Sequence, residues 1–356
     1  MFRNKNKIGK LASTVMASAV TTAIVLGFGN LAHAEDAADY YEGKTVKIVV
    51  GFNPGGGYDE YARMIAPELE KRLDATVVVE NQPGGGGLLA LNRLAQSGND
   101  TTIMLASAES AALAQLTDRP GTRFDLSKMT WLGRAVVDTR MAMWSAENPE
   151  RTFEEALETM KAEGSRWGAT GLTDSVSDAT AAMAEALNLT ADQLSIVLGY
   201  DGTSAIALAV VRGEADGVVV SSTSAINYVG DDSLVPLAAL DRERDALFPD
   251  TPTIFEVGNL DEEGERWMDF RSNITTLGRA LLMHGDVDSA RSDFLAEQVE
   301  DILTNEAFLK EAEDMNRPIN YLSAAEQDEL VQSIFDGLSD ERKAEVKTVL
   351  TEKFVR

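Results

Sequence analysis

Thr45-Val46-Lys47-Ile48-Val49-Val50-Gly51 is a β-branched run, and Phe52-Asn53-Pro54-Gly55-Gly56-Gly57-Tyr58-Asp59, which follows it, cannot extend a strand. Downstream, Ala62, Ile65, Ala66, Leu69 and Leu73 recur at helical spacing, so the unit is strand, glycine loop, helix. Pro67 falls inside that helix and predicts a kink. The unit repeats: Thr76-Val77-Val78-Val79-Glu80 is a strand, Pro83-Gly84-Gly85-Gly86-Gly87 a second glycine loop, and Leu88, Leu91, Leu94 and Ala95 line a second helix. Thr102–Ala106 makes a third strand, ending at Ser107 beside a helix that starts near Ala108. Strands alternating with helices in this way predict a parallel sheet covered on both faces. From about Asp138 the pattern starts again, with strands at 141–144, 166–171, 195–198, 216–220 and 234–240 separated by helices, which predicts a second lobe. There is no low-complexity linker, so the two lobes are expected to share a hinge that the chain crosses more than once.

The 356 residues carry 32 Lys+Arg against 58 Asp+Glu, a formal charge of −26 that argues against nucleic acid or an anionic membrane as partner. With 44% hydrophobic and 25% charged residues the chain is globular and long enough for two domains. No cysteine is present, which removes disulfides, thiolate nucleophiles, Cys-ligated metals and the lipidation site of a lipoprotein. Arg3, Lys5, Lys7 and Lys10, a mildly apolar run from Val15 to Phe28 and the small-x-small Ala32-His33-Ala34 read as a cleavable signal peptide over residues 1–34. Its removal leaves His284 alone at the end of an apolar run, a packing or turn position, so neither a Ser-His-Asp triad nor a His-rich metal site is expected.

A glycine loop feeding a helix N-terminus is a natural anion site, because unpaired backbone N–H groups and the helix dipole converge there. Two such loops on adjacent strands face one crevice in a doubly wound sheet. Neither has the Lys-Ser/Thr of a Walker loop or the spacing of a dinucleotide fingerprint, and Asp59 and Glu60 would repel a polyphosphate. A small anion such as a carboxylate remains.

Val50–Asp59, Val77–Gly87, the turn Gly199-Tyr200-Asp201-Gly202 with Gly213–Asp216 after it, and Phe248-Pro249-Asp250-Thr251-Pro252-Thr253 through Gly258 resemble the landmarks of the periplasmic substrate-binding receptors of tripartite tricarboxylate transporters, the Bug family. The resemblance covers nearly the whole chain beyond the N-terminal segment. It implies an α/β, two-lobed Venus-flytrap fold of the type II periplasmic-binding class, with two doubly wound sheets and a hinge. Residues 35–138 with about 245–356 would form the first lobe and 139–244 the second. It also implies a monomer in the periplasm, not lipidated, that captures a small organic acid between its lobes and delivers it to the membrane subunits of a tripartite transporter. No catalytic residue, cofactor or metal is implied.

Carried over residue by residue, the resemblance points to Phe52, Gly56, Tyr58, Asp59, Gly84, Gly85, Gly86, Ser107 and Ala108 in the first lobe, and to Thr170, Gly171, Tyr200, Gly202 and Asp216 in the second. The first lobe would hold a carboxylate by backbone groups and the second would set specificity. Many members have Thr or Ser where Tyr58 stands, so here a phenol enters the cleft or stacks on the ligand. The segment Met268–Arg279 departs from the family pattern, and no contact is carried over to it. A receptor feeding a membrane sensor would share this sequence pattern; a secreted α/β hydrolase would need a G-x-S-x-G elbow, which the chain beyond the signal peptide lacks.

Overall fold

The computed structural model describes residues 37–355 apart from 173, 231 and 232. The expected signal peptide lies outside the described residues. In the first lobe β1 (Thr45–Val50), α1 (Gly57–Leu73), β2 (Thr76–Asn81), α2 (Leu88–Ser97), β3 (Thr102–Ser107) and α3 (Ala108–Leu116) follow the expected alternation, and β1 pairs in parallel with both β2 and β3. Helix α1 runs through Pro67, whose ring is on the exposed side; the carbonyl it leaves unpaired one turn back therefore faces solvent, and the helix continues.

Two strands were not expected from the sequence: β4 (Thr130–Val136) and, much later in the chain, β10 (Arg279–Met283). The first sheet reads β2-β1-β3-β10-β4, with β10 antiparallel between β3 and β4. The second lobe repeats this plan. Its strands β5 (Arg140–Ser145), β6 (Arg166–Gly168), β7 (Ser195–Val197), β8 (Gly217–Ser221) and β9 (Leu234–Ala239) are ordered β7-β6-β8-β5-β9, and β5 is antiparallel to both neighbours. Each sheet is thus mixed instead of all-parallel. In each, the strand that arrives from the other lobe enters at the cleft edge, so it must run against the strands that leave there.

The chain crosses between lobes at 136–140 and 275–279 and once more after α11 (Ala324–Asp336), since α12 (Asp340–Thr348) and the segment Val349–Lys353 pack on the second lobe. Of the residues expected with the first lobe, β10, α9 (Ser289–Leu303) and α11 pack there. Ile254, Trp267, Met268 and Ile274, with Val346, Leu350 and Phe354 from the C-terminal region, instead share the core of Trp144, Trp167 and Ile196 in the second lobe. Helix α8 (Glu262–Thr275), which carries Trp267, lies against α5 (Ser177–Ala186) of that lobe. Among the described residues no helix is long and apolar enough to cross a membrane.

Gly278 sits where two crossings touch. Its φ is +58°, and a Cβ there would overlap the carbonyl oxygen of Val136 in the neighbouring crossing. Gly278→Ala is therefore expected to lower stability by at least about 2 kcal/mol, from left-handed strain plus a backbone collision that no rotamer change relieves. Denaturant unfolding checks it; a change within about 0.5 kcal/mol, the range of an ordinary surface substitution, would contradict the reading.

Candidate functional site

The two glycine loops meet at the carboxyl ends of β1 and β2. Gly84, Gly85, Gly86 and Gly87 all have positive φ (146°, 59°, 69° and 91°), so this bend admits no ordinary side chain without strain. The loops interlock: a Cβ on Gly51 would come within 2.6 Å of the Cα of Gly87, and the Asn81 side-chain amide donates to the Phe52 carbonyl at 3.0 Å. Phe52 stacks on Tyr58 with ring centroids 4.4 Å apart. Gly56 caps α1 with no side-chain hydrogen bond, leaving the first N–H groups of the helix without a capping acceptor. Asp59 does not point to them. It accepts from the Gly55 N–H at 2.9 Å and pairs with Arg63; burial acts to raise its carboxyl, but those bonds hold it below the usual range. Ser107 caps α3 by accepting from the Ser110 N–H, and beside it Gly85, Gly86, Gly87, Ser110 and Arg119 line a recess of about 10 Å³, room for a single water. Ala108, the first residue of α3, is fully buried and does not line this recess.

In the second lobe Thr170 and Gly171 follow β6 at the cleft end, but they are engaged internally. The Thr170 hydroxyl and the Gly171 N–H both donate to Asp174, whose other carboxylate oxygen accepts from the N–H groups of Val176 and Ser177 at 2.9 and 2.7 Å. The helix terminus that mirrors the first lobe's cradle thus already holds a carboxylate of the chain's own. Asp174 also faces the second glycine loop, its Cβ 3.9 Å from where one on Gly86 would stand. Tyr200 packs against this lobe's core, and Gly202, exposed with φ +90°, caps α6 (Thr203–Val211).

Asp216 does not join the site. Its carboxylate accepts from the Arg166 N–H at 2.7 Å and pairs with the Arg166 side chain, both at the amino ends of β6 and β8. Across the length of β8 that is roughly 16 Å from Ser221 at the cleft end. Asp216 is a strand-start residue that ties two strand beginnings together. His284 is likewise at the far end of β10, bonded to Asp100 at 3.2 Å.

What the sequence reading missed is a buried cluster of ion pairs between the lobes. Arg140 opens β5 opposite Ser221, and Arg279 opens β10 opposite Ser107. The Ser222 N–H donates to the carbonyl before Arg140, as the Ala108 N–H does to the carbonyl before Arg279, so the two arginines hold equivalent positions in the two lobes. Arg140 pairs with Glu109 of α3 at 2.8 Å; Glu109 also pairs with Arg271 of α8, which reaches Asp178 of α5 at 3.1 Å. Arg279 pairs with Asp138 at 2.6 Å. All six partners are at least nine-tenths buried. Burial alone would raise the Glu109 carboxyl, but the charges and hydrogen bonds of Arg140 and Arg271 bring it below its ordinary value. Asp178 shares its arginine with Glu109, has one oxygen with no partner, and is pushed up to about 7 by burial. Burial raises the Tyr58 hydroxyl as well, and Arg279 and Arg140 oppose it. A signal was present in the sequence: Arg140 and Arg279 each directly precede a run of apolar residues that the folded chain buries completely.

A family model, "Tripartite tricarboxylate transporter family receptor", matches residues 61–316, starting just after the first glycine loop. The chain is 25% identical to protein BugT of Bordetella pertussis over 238 residues, 65% of this chain and 71% of the relative. Among solved structures it is similar to MatC from Rhodopseudomonas palustris with bound malate (TM-score 0.67, 19% identity, 85% of this chain and 99% of that one). It is also similar to an R. palustris protein with adipate (TM-score 0.70, 16% identity, 85% and 97%).

The raised Asp178 carboxyl makes a prediction with a definite sign. A group whose folded pKa lies above its unfolded value near 3.8 contributes stability that is full below about pH 4 and is lost as pH rises through about 7. Asp178→Asn imitates the protonated form in the same surroundings, facing Arg271 with Glu109, Arg140 and Asp174 nearby. The melting temperature of the variant minus that of wild type should therefore increase between about pH 5 and 8. A flat difference across that range would mean that Asp178 keeps its charge.

Proposed function

The chain belongs to the tripartite tricarboxylate transporter receptor family, and from that premise we propose that it is a periplasmic receptor that closes on a small organic acid and presents it to the membrane subunits of such a transporter. The observation that carries the reading is the uncapped N-terminus of α1 beside the second glycine loop, both opening at the carboxyl ends of adjacent parallel strands toward the other lobe. A carboxylate there would accept backbone N–H bonds that are otherwise unmade, each worth about 1.5–3 kcal/mol when the acceptor is charged. Malate and adipate in two similar structures are the chemical class expected, a carboxylate on a short carbon frame. Export follows from the basic and apolar N-terminal segment with its Ala32-His33-Ala34 site. Binding without turnover is the reading favoured by family and fold.

A recess of about 10 Å³ cannot take a dicarboxylate, so the lobes must part for entry, and the pairs of Glu109 with Arg140 and Arg271 are what parts. Small-angle scattering should show an expanded protein that compacts on adding one of malate, adipate, succinate or benzoate, with a matching rise in melting temperature of the kind a saturating ligand gives, about 2.7 kcal/mol at 100 times its dissociation constant. Conversion of an added acid to product would replace this reading with an enzyme; no compaction with a broad panel of organic acids would remove it.

A further inference from the structure

Each arginine of the interlobe cluster has a buried nitrogen without a partner, the Nε of Arg140 and of Arg271 and the Nη1 of Arg279, and only that of Arg279 is a terminal nitrogen of the fork. Arg279 donates through Nη2 to Asp138 at 2.6 Å and to Thr223 at 3.5 Å, while its Nη1 is buried without a partner. That nitrogen lies against the first residue of α1: a Cβ on Gly57 would overlap it. The guanidinium carbon stands 4.6 Å from the ring centroid of Tyr58 and 5.0 Å from that of Tyr61, one helical turn on. A guanidinium at the positive end of a long uncapped helix is repelled by it unless an anion lies between them. The acids nearest in sequence do not serve, because Asp59 is held by Gly55 and Arg63, and Glu60 by Arg317.

We propose that Arg279 is a ligand-anchoring residue: its Nη1 and the first N–H groups of α1 together bind one carboxylate of the incoming acid. This rests on the receptor reading and adds to it, since it places a side-chain cation inside what the sequence presents as a purely backbone cradle. Gly57 is then required as glycine to let the guanidinium reach the helix end. Asp138 holds the other half of the fork, which keeps Nη1 turned to the cradle.

The test uses acetate, a carboxylate small enough to report this subsite alone, followed by line broadening of its ¹³C signal with the full-length mature protein. Wild type should broaden the signal. The double variant Arg279→Gln/Asp138→Asn, which removes both charges and leaves no unpaired acid, should weaken acetate binding by about tenfold or more, while Arg279→Lys keeps part of it. Gly57→Ala retains every charge, moves only the guanidinium, and should also weaken it. Acetate bound equally by wild type, the folded double variant and Gly57→Ala would overturn the proposal, as would no detectable acetate binding to wild type. The receptor reading fails separately. Acetate binding that depends on Arg279 with no acid producing compaction supports the anchor and removes the receptor; compaction by an acid that is undiminished in the double variant does the reverse.

Discussion

Three arginines and three carboxylates buried where the two lobes meet constrain everything else in this molecule. Moving a charge out of water costs several kcal/mol, and pairing returns it only when geometry is good. Arg140, Arg271 and Glu109 form one such group across the interface, and Arg279 with Asp138 another. Buried pairs of this kind add little net stability over the hydrated groups, yet leaving one partner alone is expensive. The lobes are thereby held in a defined relation at small net cost, and parting them would exchange the pairs of Glu109 with Arg140 and Arg271 for water on both sides. An apolar interface of equal size would be harder to part.

The same constraint explains where the glycines are. The helix end at Gly57 must approach a guanidinium, and the loop from Gly84 to Gly87 needs four successive positive φ angles to turn against Gly51. Only glycine satisfies these demands. The second lobe solves the corresponding problem differently, by folding Asp174 onto the N-terminus of α5. One lobe therefore offers a free cradle and the other a filled one, which makes the cleft asymmetric in charge although the two sheets share one topology.

Local periodicity was sufficient to read most of this fold. The strand–loop–helix units at the start of each lobe are contiguous, and their β-branched runs and glycine loops appear in order. Strands β4 and β10 were missed because their partners are remote. Trp131 and Gly133 of β4 pair with Leu282 and Leu281, far along the chain, and Arg279–Met283 is too short to distinguish from a buried helical segment without its neighbours. Asp216 was misplaced for a related reason: the motif fixes its neighbourhood in sequence, but only the strand direction says which end of the sheet it occupies. The ion pairs were invisible since each joins residues on different elements, and charge alone on an exposed-looking segment such as Met268–Arg279 does not announce burial.

Gly57 and Arg279 show what that limitation hides. Read singly, one is a loop glycine and the other the polar cap of an apolar strand. In the folded chain they exclude each other's alternatives: any side chain at 57 would occupy the space of the guanidinium, and a shorter residue at 279 would leave Asp138 buried without its cation. The glycine loop is accordingly more than a flexible turn. Its last residue is the gap through which a cation from the returning strand reaches a helix terminus, and the hinge segment carrying Asp138 holds that cation in place. Binding at the cradle and movement at the hinge then act on the same guanidinium, so a carboxylate that draws Arg279 toward α1 also alters the contact that ties β10 to the crossing between the lobes.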